Sequence, residues 1–229
     1  NKNGLQYIAL TPENFIHRKY LWTVITSMFM HANFLHLFVN MFSLFFVGTF
    51  VEKIIGRKRF LWFYLISGIL AGIFFALISF YLGSAGFGTK IFGDPSVPGV
   101  GASGAIFGLV GFLALITPYT KIYLILGPLI AIIIGAFLGT FINSEALLNI
   151  LTLVVNIYFI ISLFALFSFG KLRKIALPVE MPFWLLPIVA IIPLIVIGLF
   201  VDLPIGNMAH LGGLLVGLLF GLYIRKKYK

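Results

Sequence analysis

The stretch "GASGAIFGLVGFLALI", residues 101–116, contains no charged side chain and a single polar one, Ser103, near its beginning. Its glycines recur at every third or fourth position: Gly101, Gly104, Gly108 and Gly111. This spacing gathers small residues on one helical face, and such a face allows transmembrane helices to approach closely. The stretch therefore predicts a membrane helix that packs tightly against a partner and carries a hydroxyl group in its first turn.

The composition of the whole chain is that of a membrane protein. Of its 229 residues, 61% are apolar and only 10% are charged, whereas soluble domains are about one quarter charged. Nearly uncharged runs long enough to cross a bilayer core of about 30 Å recur along it, and helices satisfy their own backbone hydrogen bonds in lipid. We therefore expect an all-α, polytopic transmembrane bundle that forms one membrane domain, 1–229. About seven spans are predicted: 34–51, 60–82, 102–118, 122–141, 146–169, 183–201 and 208–224.

The distribution of Lys and Arg predicts the direction of these spans. If the spans alternate, twelve of the sixteen basic residues fall on one side, including those of the basic tail at 225–229. The positive-inside rule places that side in the cytoplasm. The aromatic opening, residues 1–33, is then an outer interfacial loop, and we expect a multi-pass protein of the plasma membrane. Topology and anionic lipid explain the net charge of +10, so no nucleic-acid partner is expected.

Polar groups from three distant parts of the chain are predicted to lie at one outer depth. Ser103 begins the third span and His210 begins the seventh. His36 and Asn40 occupy the outer turns of the first span. Ionisable residues inside a membrane are costly and are functional candidates for that reason.

Ser103 and His210 each allow two interpretations from the residues alone. Ser103 is either a helix-start residue in a packing strip or a nucleophile, and His210 is either a structural histidine or the base that activates the hydroxyl. The last span carries a second glycine strip: Gly213, Gly217 and Gly221. Packing the two strips together would bring the imidazole within about 2.6–3.2 Å of the hydroxyl, which a Ser–His nucleophile requires.

His36 and Asn40 are four residues apart and share one face of the first span. They are either two polar residues at the membrane interface or, with the backbone amide of Ser103, donors to an oxyanion. Phe107 lies four residues after Ser103, on the face where it would stack against the His210 ring.

Other chemistries find little support. The chain has no cysteine, which excludes a thiol nucleophile and thiolate metal sites, and it lacks the H-E-x-x-H pattern of zinc proteases. None of the six carboxylates lies in the middle of a predicted span, which disfavours a pair of catalytic aspartates. A serine mechanism would thus use a Ser–His dyad, and neither a metal nor a cofactor is expected.

Three stretches together resemble the rhomboid family of intramembrane serine proteases. They are "SMFMHANFLHLFVNMF" with H-x-x-x-N at 36–40, "GASGAIFGL" at 101–109 and "AHLGGLLVG" at 209–217. The resemblance implies that Ser103 is the nucleophile and His210 its base, with His36, Asn40 and the Ser103 amide forming the oxyanion hole. Gly101, Gly104, Phe107 and Gly213 would support them. It also implies substrates that are single-pass transmembrane proteins, cut near the outer end of their helix.

Two departures from the family pattern are expected. The family core has a first span before the outer loop, and no apolar run precedes residue 20 here, so we expect that span to be missing from this chain. Residues 122–169 form two extra spans, a predicted inserted helical hairpin. An even number of added spans leaves the direction of every later helix unchanged.

Two other functions remain open at this point. A transporter or channel would use His36, Asn40 and His210 to line a polar path. A non-catalytic rhomboid-like protein would bind membrane helices without cutting them, although such proteins usually lack the serine or the histidine, and this chain has both.

Overall fold

A computed structural model describes most of the chain in five ranges: 2–84, 86–139, 141–167, 170–199 and 206–227. The helices in these ranges are α1 (Lys2–Leu5), α2 (Pro12–Ile16), α3 (Thr23–Thr26), α4 (Phe34–Ser43), α5 (Thr49–Ile55), α6 (Arg57–Leu82), α7 (Phe87–Phe92), α8 (Ser103–Ile116), α9 (Leu126–Gly139), α10 (Glu145–Leu166), α11 (Leu186–Gly198) and α12 (Asn207–Lys227). Two strands, β1 (Lys121–Ile125) and β2 (Pro178–Pro182), pair antiparallel. Short 3-10 helices occupy Ser27–Phe29, Gly170–Ala176 and Phe183–Leu185.

The chain divides into two compact units. One contains the residues up to Pro118 together with those from Trp184 onward, and the other is Tyr119–Phe183. The predicted insertion, 122–169, falls within the second unit.

The first unit is built around α8. This helix packs against α6 and α12, and its Leu109, Phe112 and Leu113 are completely buried. Lipid tails are as apolar as leucine, so burial of apolar surface does not hold such helices together; close van der Waals packing does. The small residues of α8 are what make that packing possible.

The first predicted span is one long helix with a local irregularity. A π-helical turn, Leu44–Gly48, joins α4 to α5, so the helical stretch runs over Phe34–Ile55. The positive φ of 82° at Gly56 ends this stretch, and α6 begins at the next residue. Glycine adopts this backbone conformation without the steric cost that a side chain would add.

The segment before α4 is a loop with short helices that lie on α6. Both α2 and α3 contact α6, and Leu10 pairs through its backbone with Gly99 in the loop before α8. Leu10 also packs with Phe75 and Met208 in a buried apolar cluster. The loop is thereby joined to three separate parts of the chain.

The prediction of a helical membrane bundle is confirmed, and each of the seven predicted spans overlaps a helix. Within the described residues, four helices are long and apolar enough to cross a bilayer: Phe34–Ile55, Arg57–Leu82, Glu145–Ala165 and Asn207–Lys227. The 14 residues of α8 span only about 21 Å. This length is shorter than the bilayer core of about 30 Å.

The prediction of a span over 122–141 is wrong at its start. Residues 121–125 form β1 and not a helix, and α9 begins only at Leu126. The register pairs Lys121 with Pro182 and Ile125 with Pro178. A short apolar run cannot be assigned to helix or strand by periodicity alone, because both can be apolar all round.

The second unit consists of the β1–β2 pair with α9 and α10. Lys121 Nζ lies 2.6 Å from a Glu180 carboxylate oxygen across the two strands. The Arg173 guanidinium lies over the Tyr123 ring, 4.4 Å from its centroid. The Lys121 ammonium lowers the pKa of Glu180, and the carboxylate raises the pKa of Lys121, through a hydrogen bond and charge attraction.

Candidate active site

Ser103 and His210 meet where α8 and α12 begin. The Ser103 hydroxyl oxygen lies 2.8 Å from His210 Nε2, a hydrogen-bond distance. Ser103 is the first residue of α8, and His210 lies in the first turn of α12. Two helices that are far apart in the chain thus bring a hydroxyl and an imidazole into direct contact.

Glycines bring the two helices this close. A methyl group on Gly213 would overlap the carbonyl oxygen of Gly104, and one on Gly217 would overlap that of Gly108. The obstructing atoms belong to the backbone, which cannot move aside as a side chain can. The glycine strips of α8 and α12 therefore form the contact that positions His210.

The His210 ring is held by stacking. The Phe107 ring lies nearly parallel to it, at 13°, with the ring centroids 4.4 Å apart. No polar group within the described part of the chain bonds to His210 Nδ1, which is buried. Among the described residues, the contacts that orient the imidazole are those with the Phe107 ring and with Ser103.

His36 lies against the loop that leads to Ser103. Asn33 caps α4 by accepting a hydrogen bond from the His36 amide at 2.8 Å. The Ala32 amide donates to His36 Nδ1 at 3.4 Å, which favours the tautomer with its hydrogen on Nε2, where it makes that nitrogen a donor. A methyl group on Gly101 would come within 2.9 Å of that Nε2.

Gly101 adopts a conformation that other residues avoid. Its φ is +128°, and the His36 ring occupies the space where a side chain would be. Glycine is required here on both counts. The Gly101 amide donates to the Ser27 carbonyl at 2.9 Å, which fixes the loop two residues before Ser103.

Asn40 is buried, with 4% of its surface exposed. Its side-chain nitrogen donates to the His36 carbonyl one helical turn earlier, at 2.9 Å. An amide nitrogen has two hydrogens, so one remains for another acceptor. The helix that carries Asn40, α4, packs against α8.

Three contacts that brace the loop before α4 are not indicated by any sequence motif. The Trp22 indole donates to the Tyr7 carbonyl at 2.9 Å, and the Thr26 hydroxyl donates to the Ile8 carbonyl at 2.8 Å. With the Ser27 carbonyl that receives the Gly101 amide, they tie the loop to the start of α8. Backbone carbonyls are acceptors whatever the residue type, so no residue pattern reveals these partners.

A third histidine adjoins the site. His31 contacts the His36 ring edge to face, with 5.1 Å between centroids. Burial lowers the pKa of His31 below its ordinary value, and the nearby His36 lowers it further. His31 therefore stays neutral at neutral pH and adds no positive charge beside His36.

A family model described as "Rhomboid domain" matches residues 18–167 and 158–227. The rhomboid protease AarA of Providencia stuartii is 38% identical over 91 residues, 38% of this chain and 31% of that protein. The rhomboid protease GluP of Bacillus subtilis is 37% identical over 92 residues, 40% of this chain and 15% of that protein.

A further relative is named as inactive. The inactive RHOMBOID-like protein 8 of Arabidopsis thaliana is 32% identical over 108 residues, 47% of this chain and 25% of that protein. The aligned part spans less than a third of each of the three relatives. Since the matched residues cover far more than half of the chain, this integral membrane protein belongs to the rhomboid family.

Proposed function

We propose that this protein is an intramembrane serine endopeptidase that cuts single-pass transmembrane proteins with Ser103 as nucleophile and His210 as general base. The observation that carries the proposal is the 2.8 Å contact between the Ser103 hydroxyl and His210 Nε2. A nucleophile and a base within hydrogen-bond distance are the defining arrangement of covalent catalysis by serine.

In the proposed reaction Ser103 Oγ bonds to a substrate carbonyl carbon as its proton passes to His210 Nε2. The carbonyl electron pair moves onto the oxygen. Breakage of the carbon–nitrogen bond then releases the amine, which takes the proton from His210. Water repeats these steps on the acyl-enzyme, again with His210 as base, and restores the Ser103 hydroxyl.

The His210 environment suits this role. Nε2 accepts a proton only in the tautomer that carries its hydrogen on Nδ1. Stacking on Phe107 holds the ring plane, so the nitrogen stays directed at Ser103. A dyad of this kind requires no carboxylate.

Three donors are proposed to stabilise the oxyanion. The Ser103 amide is one, because the first intrahelical hydrogen bond of α8 runs from Ile106 to Ala102 and leaves the amides before it without helical partners. His36 Nε2 and the second hydrogen of the Asn40 amide are the others. Both side chains come from α4, which packs against α8.

Replacing Asn40 by alanine should lower turnover by about 10²–10³-fold, the usual cost of removing one oxyanion donor. Steady-state cleavage of a transmembrane reporter measures the effect. Met41→Ala is the matched control, because Met41 is the next residue of α4 and is partly exposed. Equal turnover for Asn40→Ala and Met41→Ala would remove Asn40 from the proposed site.

A serine-directed fluorophosphonate tests the function as a whole. We expect the purified protein in detergent to be labelled and to cleave a reporter with one transmembrane helix. A protein that neither reacts with the probe nor cleaves the reporter, yet retains the reporter on a column, would be a non-catalytic binder. Solute flux into proteoliposomes that survives Ser103→Ala would instead identify a transporter or channel.

We also propose that the protein lies in the plasma membrane with its active site towards the outer face and its carboxyl terminus in the cytoplasm. The chain has no cysteine, so a thiol reagent labels only the single cysteine that is introduced, and its accessibility reports the orientation. Val97→Cys, in the loop between α7 and α8, should react with an impermeant maleimide in intact cells, whereas Arg57→Cys should react only after lysis. The reverse pattern would contradict the proposed orientation.

A further inference from the structure

A groove of about 400 Å³ separates the first half of α6 from the second half of α12. Its floor is apolar and is formed by Phe63, Ile66, Val216 and Phe220. The Phe63 and Phe220 rings stack with 4.4 Å between centroids. The floor is therefore a fixed surface that these two rings hold in place.

One end of the groove is basic. Lys58, Arg59 and Lys227 line it, and none of the described residues that line the groove is acidic. The positive-inside rule assigns this end to the cytoplasmic side, where bilayers carry their anionic lipids. The groove thus combines an apolar channel with a cationic end at the depth of lipid headgroups.

A positive charge is favourable at the carboxyl end of a helix and unfavourable at its amino end. Lys227 ends α12, where a positive charge is favourable, whereas Lys58 and Arg59 occupy the first turn of α6. The first turn carries the positive end of the helix dipole and has amides without helical partners. With no acidic residue in that turn, an anion that binds there removes an unfavourable concentration of positive charge.

Two aromatic side chains mark the depth of the groove. Trp62 is 65% exposed and Tyr223 is 56% exposed, and both line it. Trp and Tyr favour the boundary between headgroups and acyl chains. From Lys58 to Ile66 the helix rises about 12 Å into the bilayer, which is room for the upper part of an acyl chain.

We propose that this groove binds one anionic phospholipid, with its phosphate at Lys58, Arg59 and Lys227 and an acyl chain along the floor. The apolar floor selects a lipid over free phosphate, because a free anion gains nothing from that surface. The cations select an anionic lipid over a zwitterionic one. This proposal does not depend on the catalytic role of Ser103.

Native mass spectrometry of the full protein in detergent with added phosphatidylglycerol tests the proposal. We expect one tightly bound phosphatidylglycerol, and binding of phosphatidylcholine with the same acyl chains should be about tenfold weaker. Lys58→Gln/Arg59→Gln should reduce phosphatidylglycerol binding by about tenfold or more. The matched control is Lys53→Gln/Arg57→Gln, which removes two exposed cations of the same membrane face that do not line the groove.

A second variant acts on the floor and keeps every charge. Ile66→Trp, at a half-exposed position, should fill the groove and also weaken phosphatidylglycerol binding, while thermal unfolding in detergent reports intact folding of each variant. Equal loss in both double variants, or equal binding of the two lipids, would overturn the proposal. So would release of bound phosphatidylglycerol by excess inorganic phosphate, or unchanged binding to Ile66→Trp.

Discussion

Ser103→Ala is expected to reduce cleavage of a transmembrane reporter by about 10³- to 10⁶-fold. His210→Ala should cost as much, because in the proposed mechanism the hydroxyl and imidazole act as one unit through their 2.8 Å contact. The double variant should be no slower than either single one, since residues that act together have non-additive effects. The residual rate should come from the oxyanion donors and from substrate binding.

Ser67→Ala is the matched control for this experiment. Ser67 is a buried serine of the first unit, on α6, and its hydroxyl has no hydrogen-bond partner in the described ranges. The same chemical change there should leave both cleavage and thermal stability unchanged. Cleavage by Ser103→Ala at a rate close to that of Ser67→Ala would rule out Ser103 as the nucleophile.

Gly213→Ala and Gly217→Ala are expected to push α8 and α12 apart. The added methyl groups would overlap the Gly104 and Gly108 carbonyl oxygens, so one helix must shift as a body. Overpacking of this kind typically costs about 1–3 kcal/mol. Displacement of the His210 imidazole from Ser103 by about 1 Å can cost a further 10²-fold in rate.

Thermal unfolding in detergent and reporter cleavage measure the two effects separately. Gly206→Ala is the control, because a methyl group at the residue before α12 would make only an ordinary contact, 3.7 Å from Ala209 Cβ. It should leave stability and rate close to those of the unmodified protein. If Gly213→Ala matched Gly206→Ala in both measurements, the glycine contact would not be what positions His210.

The sequence predicts the pairing of α8 and α12 well because the signal lies in residue type. Glycine at every third or fourth position can serve only a few purposes in a membrane helix, and close approach is the commonest. Once the two strips are placed together, the contact between Ser103 and His210 follows from their positions in the first turns of the two helices. The stacking of Phe107 on the His210 ring follows from its position one helical turn after Ser103.

Other features of the site could not be predicted from residue type. The positive φ of Gly101 and its contact with His36 depend on the path of the loop. Residue type alone does not distinguish Gly101 from the other glycines of this glycine-rich loop. The contact with the Ser27 carbonyl depends on the backbone alone. Strand β1 could not be distinguished from a helix in the sequence, because "KIYLI" continues directly into the apolar run of α9.

The connections at the two ends of Tyr119–Phe183 have a consequence for how this fold tolerates change. The chain departs after Pro118 and resumes at Trp184, and the Trp184 amide donates to the Pro118 carbonyl at 3.1 Å. Pro118 and Trp184 are therefore adjacent, and a longer or shorter segment between these two residues need not change the distance between them. The entropy of closing such a loop grows only slowly with its length. Evolution can lengthen, exchange or delete this segment at small thermodynamic cost while α8 and α12 keep their register.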